Sequence, residues 1–310
     1  MKKRIIYEIP SIYRDNFRVT GYEFGSGEQS VCVVGSTRGN EIQQMYACSL
    51  LIKRLKRLEE EKRIKKGHKI LVIPNVNPYS MNIKKRFWPT DNTDINRMFP
   101  GYNLGETTQR IAGGVFEEIK DYKYGIQFAS FYMPGKFTPH IRMMKAGYEN
   151  IELAKEFGLP YVVLRNVRPY DTTTLNYNWQ CWETRAFSLY TTTTNEIDRE
   201  SAGQAVRGIL TFLAKHEMAE YAGHDGFISM VIDDKEMKSV RTKASGLFHS
   251  KVKVGDEVVK GQVLAEIFHP YEGEVVAELA SPVDGIVFFA HNEPLTYANT
   301  AVFKLVEREV

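Results

Sequence analysis

At 310 residues, 43% of them hydrophobic and 25% charged, the chain is long enough for one large domain plus an appendage. A net charge of +3 and a mean hydropathy of -0.34 argue against nucleic acid or a membrane surface as partner. Cys32, Cys48 and Cys181 are an odd set without paired spacing, which points to neither a disulfide framework nor a thiolate zinc site.

The N-terminus is charged from Met1 to Arg4, and Ile5-Ile6 is too short for the apolar core of a signal peptide. No apolar run reaches the length of a membrane span, so a cytoplasmic location is expected. Ser30 to Gly35 then forms a short apolar run that reads as a buried strand. From Glu41 to about Ile64, the residues Ile42, Met45, Leu50, Leu51, Leu55 and Leu58 recur at helical spacing. Lys69 to Pro74 reads as a second buried strand, which completes a right-handed crossover unit. Further helices are predicted over Thr107 to Tyr122, Tyr148 to Phe157 and Ser201 to His216. Strands are predicted near Gly125 to Phe131, Tyr161 to Leu164 and Ala186 to Thr191. This alternation predicts an α/β domain, a mixed or mostly parallel sheet flanked by helices. Near 220–228 the texture changes to short alternating strands broken by Gly and Pro. A boundary there divides the chain into an α/β domain, 1–222, and a compact all-β module, 223–310.

Two segments carry candidate chemistry. Gly35 to Glu41 (GSTRGNE) ends a strand and opens a helix, the place where open α/β sheets gather ligands. Ile73 to Gly101 is long for a connection, yet it is dense in Asn, Asp and Arg. Within it, Asn96-Arg97 sets a neutral amide beside a guanidinium, a pair suited to holding a carboxylate.

The blocks Arg38-Gly39-Asn40-Glu41, Pro74-Asn75, Asn77-Pro78, Arg86, Asp94-Ile95-Asn96-Arg97-Met98-Phe99-Pro100-Gly101 and Arg110-Ile111-Ala112 occur in this order. They resemble the succinylglutamate desuccinylase/aspartoacylase family of zinc-carboxypeptidase-like amide hydrolases. The C-terminal module, with SPVDGIV at Ser281 to Val287, is similar to that family's lipoyl-like β-domain. The resemblance implies a zinc held by a His and a Glu in H-x-x-E spacing and by a His in a later D-L-H-S block. Arg38 stands at the first position, Glu41 is retained, and the later block matches Gln127-Phe128-Ala129-Ser130, which puts Ala129 at the second histidine. The family's general base is a Glu, and Tyr190 falls at its position.

Zinc catalysis needs about three protein ligands and an open position for an acidified water. One carboxylate does not supply this, and a guanidinium keeps its proton and never ligates. No zinc and no other cofactor is therefore expected, with Arg38 standing in for the metal's charge beside Glu41. Asn96 and Arg97, assisted by Arg86 and Arg38, are the expected contacts for a small-molecule carboxylate such as an N-acyl amino acid or a small peptide. Arg142 is a weaker candidate. His140 reads as structural, and Tyr190 as a buried core tyrosine rather than an acid catalyst, given a phenol's usual pKa near 10.

Three functions remain open on these residues. One is a carboxylate-binding relative without zinc hydrolysis. Another is an active amide hydrolase with a rearranged or metal-free site. The third is an assembly partner acting through the β-module. Homo-oligomerisation is compatible with all three.

Overall fold

Strands buried on both faces read as unbroken apolar runs, and the pleat then sends alternate side chains to opposite sides. The computed structural model, which describes residues 1–223 and 226–308, shows this in the central strands. In β3 (Gly27–Ser36), Val31 and Val33 enter one core, and Cys32 and Val34 enter another. In β4 (Gly67–Asn75), Ile70 and Val72 join the first core, and Leu71 and Ile73 the second.

The chain divides into two compact units, residues 1–130 with 139–230, and 131–138 with 231–310. The stretch 131–138, read from sequence as part of the first domain, thus groups with the second. Around β3 and β4 the first unit adds β1 (Lys2–Ile9), β2 (Phe17–Gly25), β5 (Tyr124–Ala129), β6 (His140–Lys145), β7 (Tyr161–Asn166) and β8 (Arg185–Tyr190). They lie in one mixed sheet in the order β1-β2-β4-β3-β5-β8-β6-β7. β4, β3, β5 and β8 are parallel, and β6 runs antiparallel to β8 with His140 opposite Tyr190. The carboxyl ends of the parallel strands and the start of β6 therefore share one edge.

Helices cover both faces. α1 (Ile42–Glu60) packs Ala47, Cys48, Leu51, Leu55 and Leu58 on the first core, while Met45, expected on that face, is exposed. The stretch Pro78–Asn82 forms a short helix, α2, capped by the Asn77 side chain. The opposite face is closed by α3 (Thr107–Ile119), through Ile111, Val115, Phe116 and Ile119. A single turn, α4 (Ile151–Lys155), replaces the longer helix predicted over 148–157. α5 (Leu175–Cys181) adds Leu175 and Trp179 to the second core. The Trp179 indole N–H donates to the Ile119 carbonyl at 3.1 Å, which satisfies its polar edge. α6 (Arg199–Lys215) lies on the first core through Ala205, Val206, Ile209, Leu210 and Leu213. Among the described residues, no helix is long and apolar enough to cross a membrane.

The second unit is all β. One sheet orders Lys238–Arg241, Ala301–Glu307, Gly285–Ala290 and Glu257–Val258, with Lys136–Phe137 also paired to Gly285–Ala290. A second orders Val275–Ala280, Val263–Phe268, Gly246–Ser250 and Leu295–Thr296. Leu264, Ile267 and Leu279 from the second sheet share a core with Val287, Phe303 and Leu305 from the first.

Candidate functional site

β3 stops at Ser36, whose hydroxyl donates to the Glu41 carbonyl at 2.6 Å and draws residues 37–41 into a tight turn before α1. Gly39 has no room for a side chain there, because a Cβ would lie 2.1 Å from the Lys85 carbonyl oxygen. Its N–H donates to the Arg86 carbonyl at 3.0 Å, tying the turn to the segment after α2.

Glu41 sits at the N-cap of α1 but makes no cap bond. Its carboxylate turns back into the loop. One oxygen, Oε2, accepts the backbone N–H groups of Thr37 and Arg38 at 2.7 and 2.9 Å. The other, Oε1, accepts from Arg38 Nη1 at 2.9 Å and from the Ser130 hydroxyl at 2.5 Å. With only 1% of its surface exposed, Glu41 has both oxygens engaged at least doubly, Oε2 also accepting the Thr37 hydroxyl at 3.3 Å, which fills a carboxylate's acceptor capacity.

Arg38 is 7% exposed and bridges two carboxylates. Opposite Glu41, its Nε and Nη2 both reach Asp94 Oδ2, at 3.0 and 2.8 Å. Burial works against this charge, but Glu41 and Asp94 outweigh it and hold the guanidinium protonated well above its ordinary range. Asp94 is fixed in turn by the Asn96 N–H, which donates to its Oδ1 at 3.0 Å. Arg38 Nη1 also lies 3.4 Å from Ser130 Oγ, so the guanidinium spans from the end of β3 to the end of β5.

Arg38, Asn96, Arg97, Gln127, Ala129, Ser130, Arg142 and Tyr190 line one small cleft, together with Arg165, Asp171, Asn176 and Ser188. Its volume is about 70 Å³. Asn96 Oδ1 accepts from Gln127 Nε2 at 2.9 Å, so its side-chain N–H groups are what it offers the cleft. Arg97 is more tethered than its position in the motif suggests. It donates to the Tyr170 carbonyl, lies 5.1 Å over the Tyr170 ring, and stands 3.7 Å from Asp171. Ala129 pairs in register with Tyr190 across β5 and β8, so a methyl group and a phenol sit side by side at the strand ends. Tyr190 is buried, with the His140 ring parallel to it at 4.8 Å and the Arg142 guanidinium 4.4 Å over its ring.

Two of the sequence candidates lie apart from the lining. Glu41 sits behind Arg38. Arg86 does not line the cleft, and burial, then the nearby Arg38 charge, push its guanidinium below its ordinary range. Among the lining residues that escaped the sequence reading are Arg165, Asp171 and Asn176. Asp171 pairs with Arg165 at 2.7 Å, and no motif marks any of the three.

Among the described residues, no group of three or more His, Cys, Asp or Glu side chains is placed to hold a metal ion. One H-x-x-E spacing, His269 to Glu272, also went unread. It lies in the β unit, with His269 Nδ1 3.6 Å from the Glu272 carboxylate. His224 falls outside the described residues.

Comparison with known proteins fits this architecture. Residues 28–215 match the family model of the succinylglutamate desuccinylase/aspartoacylase catalytic domain. An N-alpha-acetyl-L-2,4-diaminobutyric acid deacetylase of Halomonas elongata is 23% identical, over 81% of this chain and 73% of that protein. The crystal structure of a succinylglutamate desuccinylase/aspartoacylase from Rhodobacter sphaeroides superposes with a TM-score of 0.79 at 21% identity, covering 99% of this chain and 96% of that one. The product-bound ectoine utilization protein EutE (DoeB) of Ruegeria pomeroyi gives 0.76 at 19% identity, covering 96% and 93%. The family match over residues 28–215, a span that includes the strand-to-helix turn and the DINRMFPG block that build the cleft, shows that the chain belongs to the succinylglutamate desuccinylase/aspartoacylase family.

Proposed function

We propose that the cleft binds a small carboxylate, an N-acyl amino acid or short peptide, and that it does so without zinc-dependent hydrolysis. The observation that carries this reading is the guanidinium of Arg38, buried between Glu41 and Asp94. Zinc would need Glu41, but both of its oxygens are already taken by four hydrogen bonds at 2.5–2.9 Å. Zinc would also need two nitrogen ligands where a guanidinium and a methyl group stand. Placing a divalent ion about 4 Å from a fixed guanidinium costs about 8 kcal/mol of repulsion at an effective dielectric of 20. The residues at this place do not fit the ion.

The remaining features favour an anion. Four arginines line the cleft against one carboxylate, Asp171. Arg38 is held between its two carboxylates, and Asp171 pairs with Arg165 at 2.7 Å and stands 3.7 Å from Arg97, so the four guanidiniums outnumber these three carboxylates by one positive charge. The amide donors of Asn96 supply direction beside that charge. The Halomonas relative carries the name of a deacetylase for an N-acetylated amino acid, a ligand type with the required carboxylate.

Thermal denaturation with N-acetyl-L-alanine, combined with an acetate-release assay in zinc and in chelator, tests the reading. Binding that raises Tm without turnover in either condition is the expected result, since a ligand at 100 times its Kd adds about 2.7 kcal/mol. Asn96→Leu should weaken that binding about tenfold. Acetate release abolished by the chelator would instead mark an active metallohydrolase.

A further inference from the structure

Asn176 is the least explained polar residue of the cleft. It is 3% exposed, yet neither its Oδ1 nor its Nδ2 has a hydrogen-bond partner. Its neighbour Asn178, equally buried on the same helix, gives its amide to the Thr172 and Thr174 carbonyls, both at 2.9 Å. Arg165, also on the cleft wall, pairs one nitrogen with Asp171 and leaves its buried Nε–H without an acceptor. Buried polar groups are nearly always paired, so three orphaned atoms on one cleft point to a missing partner.

We infer that Asn176 and Arg165 form a subsite for a carbamoyl group, –CO–NH2, carried by the same ligand as the carboxylate. An asparagine side chain presents an acceptor and a donor side by side in one plane. A carboxylate would satisfy only the donor, and an ammonium only the acceptor. The trans amide of a peptide points its C=O and N–H in opposite directions and cannot meet both. A primary amide or ureido terminus can: its NH2 donates to Asn176 Oδ1, and its oxygen accepts from Asn176 Nδ2 and Arg165 Nε. The cleft also limits length. Its volume of about 70 Å³ is room for about five waters, which restricts the ligand to a short chain between carbamoyl and carboxylate.

This inference rests on the carboxylate-binding reading and deepens it. Three acids of equal size separate the two: N-carbamoylglycine, succinamate and N-acetylglycine. The first two carry –CO–NH2 on a ureido or a carbon chain, and the third replaces that NH2 by a methyl group. Isothermal titration of the full-length protein should show at least one carbamoyl acid binding tenfold or more tightly than N-acetylglycine. Which of the two is preferred identifies the chain type. Asn176→Leu, similar in shape but without the amide, should remove that preference and still bind N-acetylglycine, with a Tm at or above that of the unsubstituted protein. Equal binding of all three acids, unchanged by the substitution, would overturn the subsite and leave the carboxylate reading intact. Binding of none would overturn both. The comparison of the three acids on the unsubstituted protein needs no variant to fold.

Discussion

Replacing Arg38 by alanine should lower the unfolding free energy by about 3–5 kcal/mol, the usual cost of breaking a buried ion pair from one side. The reason is local. Glu41 is 1% exposed and points into the same small volume as Asp94. Without the guanidinium, two carboxylates face each other with little water to screen them. Lysine is not an adequate substitute, because one ammonium cannot reach both carboxylates as the planar fork does, and Arg38→Lys should recover only part of the loss. Urea denaturation measures both variants. A loss below about 1 kcal/mol, typical of an exposed pair, would mean that Arg38 is not the internal counter-ion.

The second large effect is a gain. Arg38→His combined with Ala129→His should create tight zinc binding. The guanidinium already extends from its own turn to Ser130 at the end of β5, 3.4 Å away, so imidazoles from positions 38 and 129 enter the same volume. Removing the Arg38 guanidinium frees one acceptor position on Glu41 Oε1, which keeps its Ser130 bond, and the three side chains then make the minimum ligand set of a catalytic zinc site. Calorimetric titration should give one equivalent bound at about 1 µM or tighter for the double variant, with each single variant at least about a hundredfold weaker. The apo double variant should be less stable than the unsubstituted chain, because Asp94 loses its partner, and zinc should restore stability by mass action.

How far sequence reaches into this molecule depends on the local physics. The central strands were legible because burial on both faces demands unbroken runs such as Val31 to Val34 and Ile70 to Ile73. β1 and β2 were not, since the antiparallel strands at the border of the sheet mix charged and apolar residues, as in KKRIIYEI. α5 is seven residues of mostly Asn, Tyr and Trp, too short for a helical period to emerge. The same division holds at the cleft. Arg38, Asn96, Arg97, Ala129 and Tyr190 sit in blocks matched to a known family, so their positions could be named before any coordinates. Asp94 lay in the DINRMFPG block, but its bond to Arg38 joins residues 56 apart, and only the fold discloses it. Arg165, Asp171 and Asn176 come from β7, the turn after it and α5, which carry no motif. Their meaning lies in unpaired atoms, a property that composition and spacing do not encode.

Crystals of the unsubstituted protein soaked in zinc and measured at the zinc absorption edge test the central claim most directly. Continuous guanidinium density between Glu41 and Asp94, with no anomalous peak between them, is the predicted result. An anomalous peak within coordination distance of the Glu41 carboxylate, with Arg38 swung aside, would contradict it.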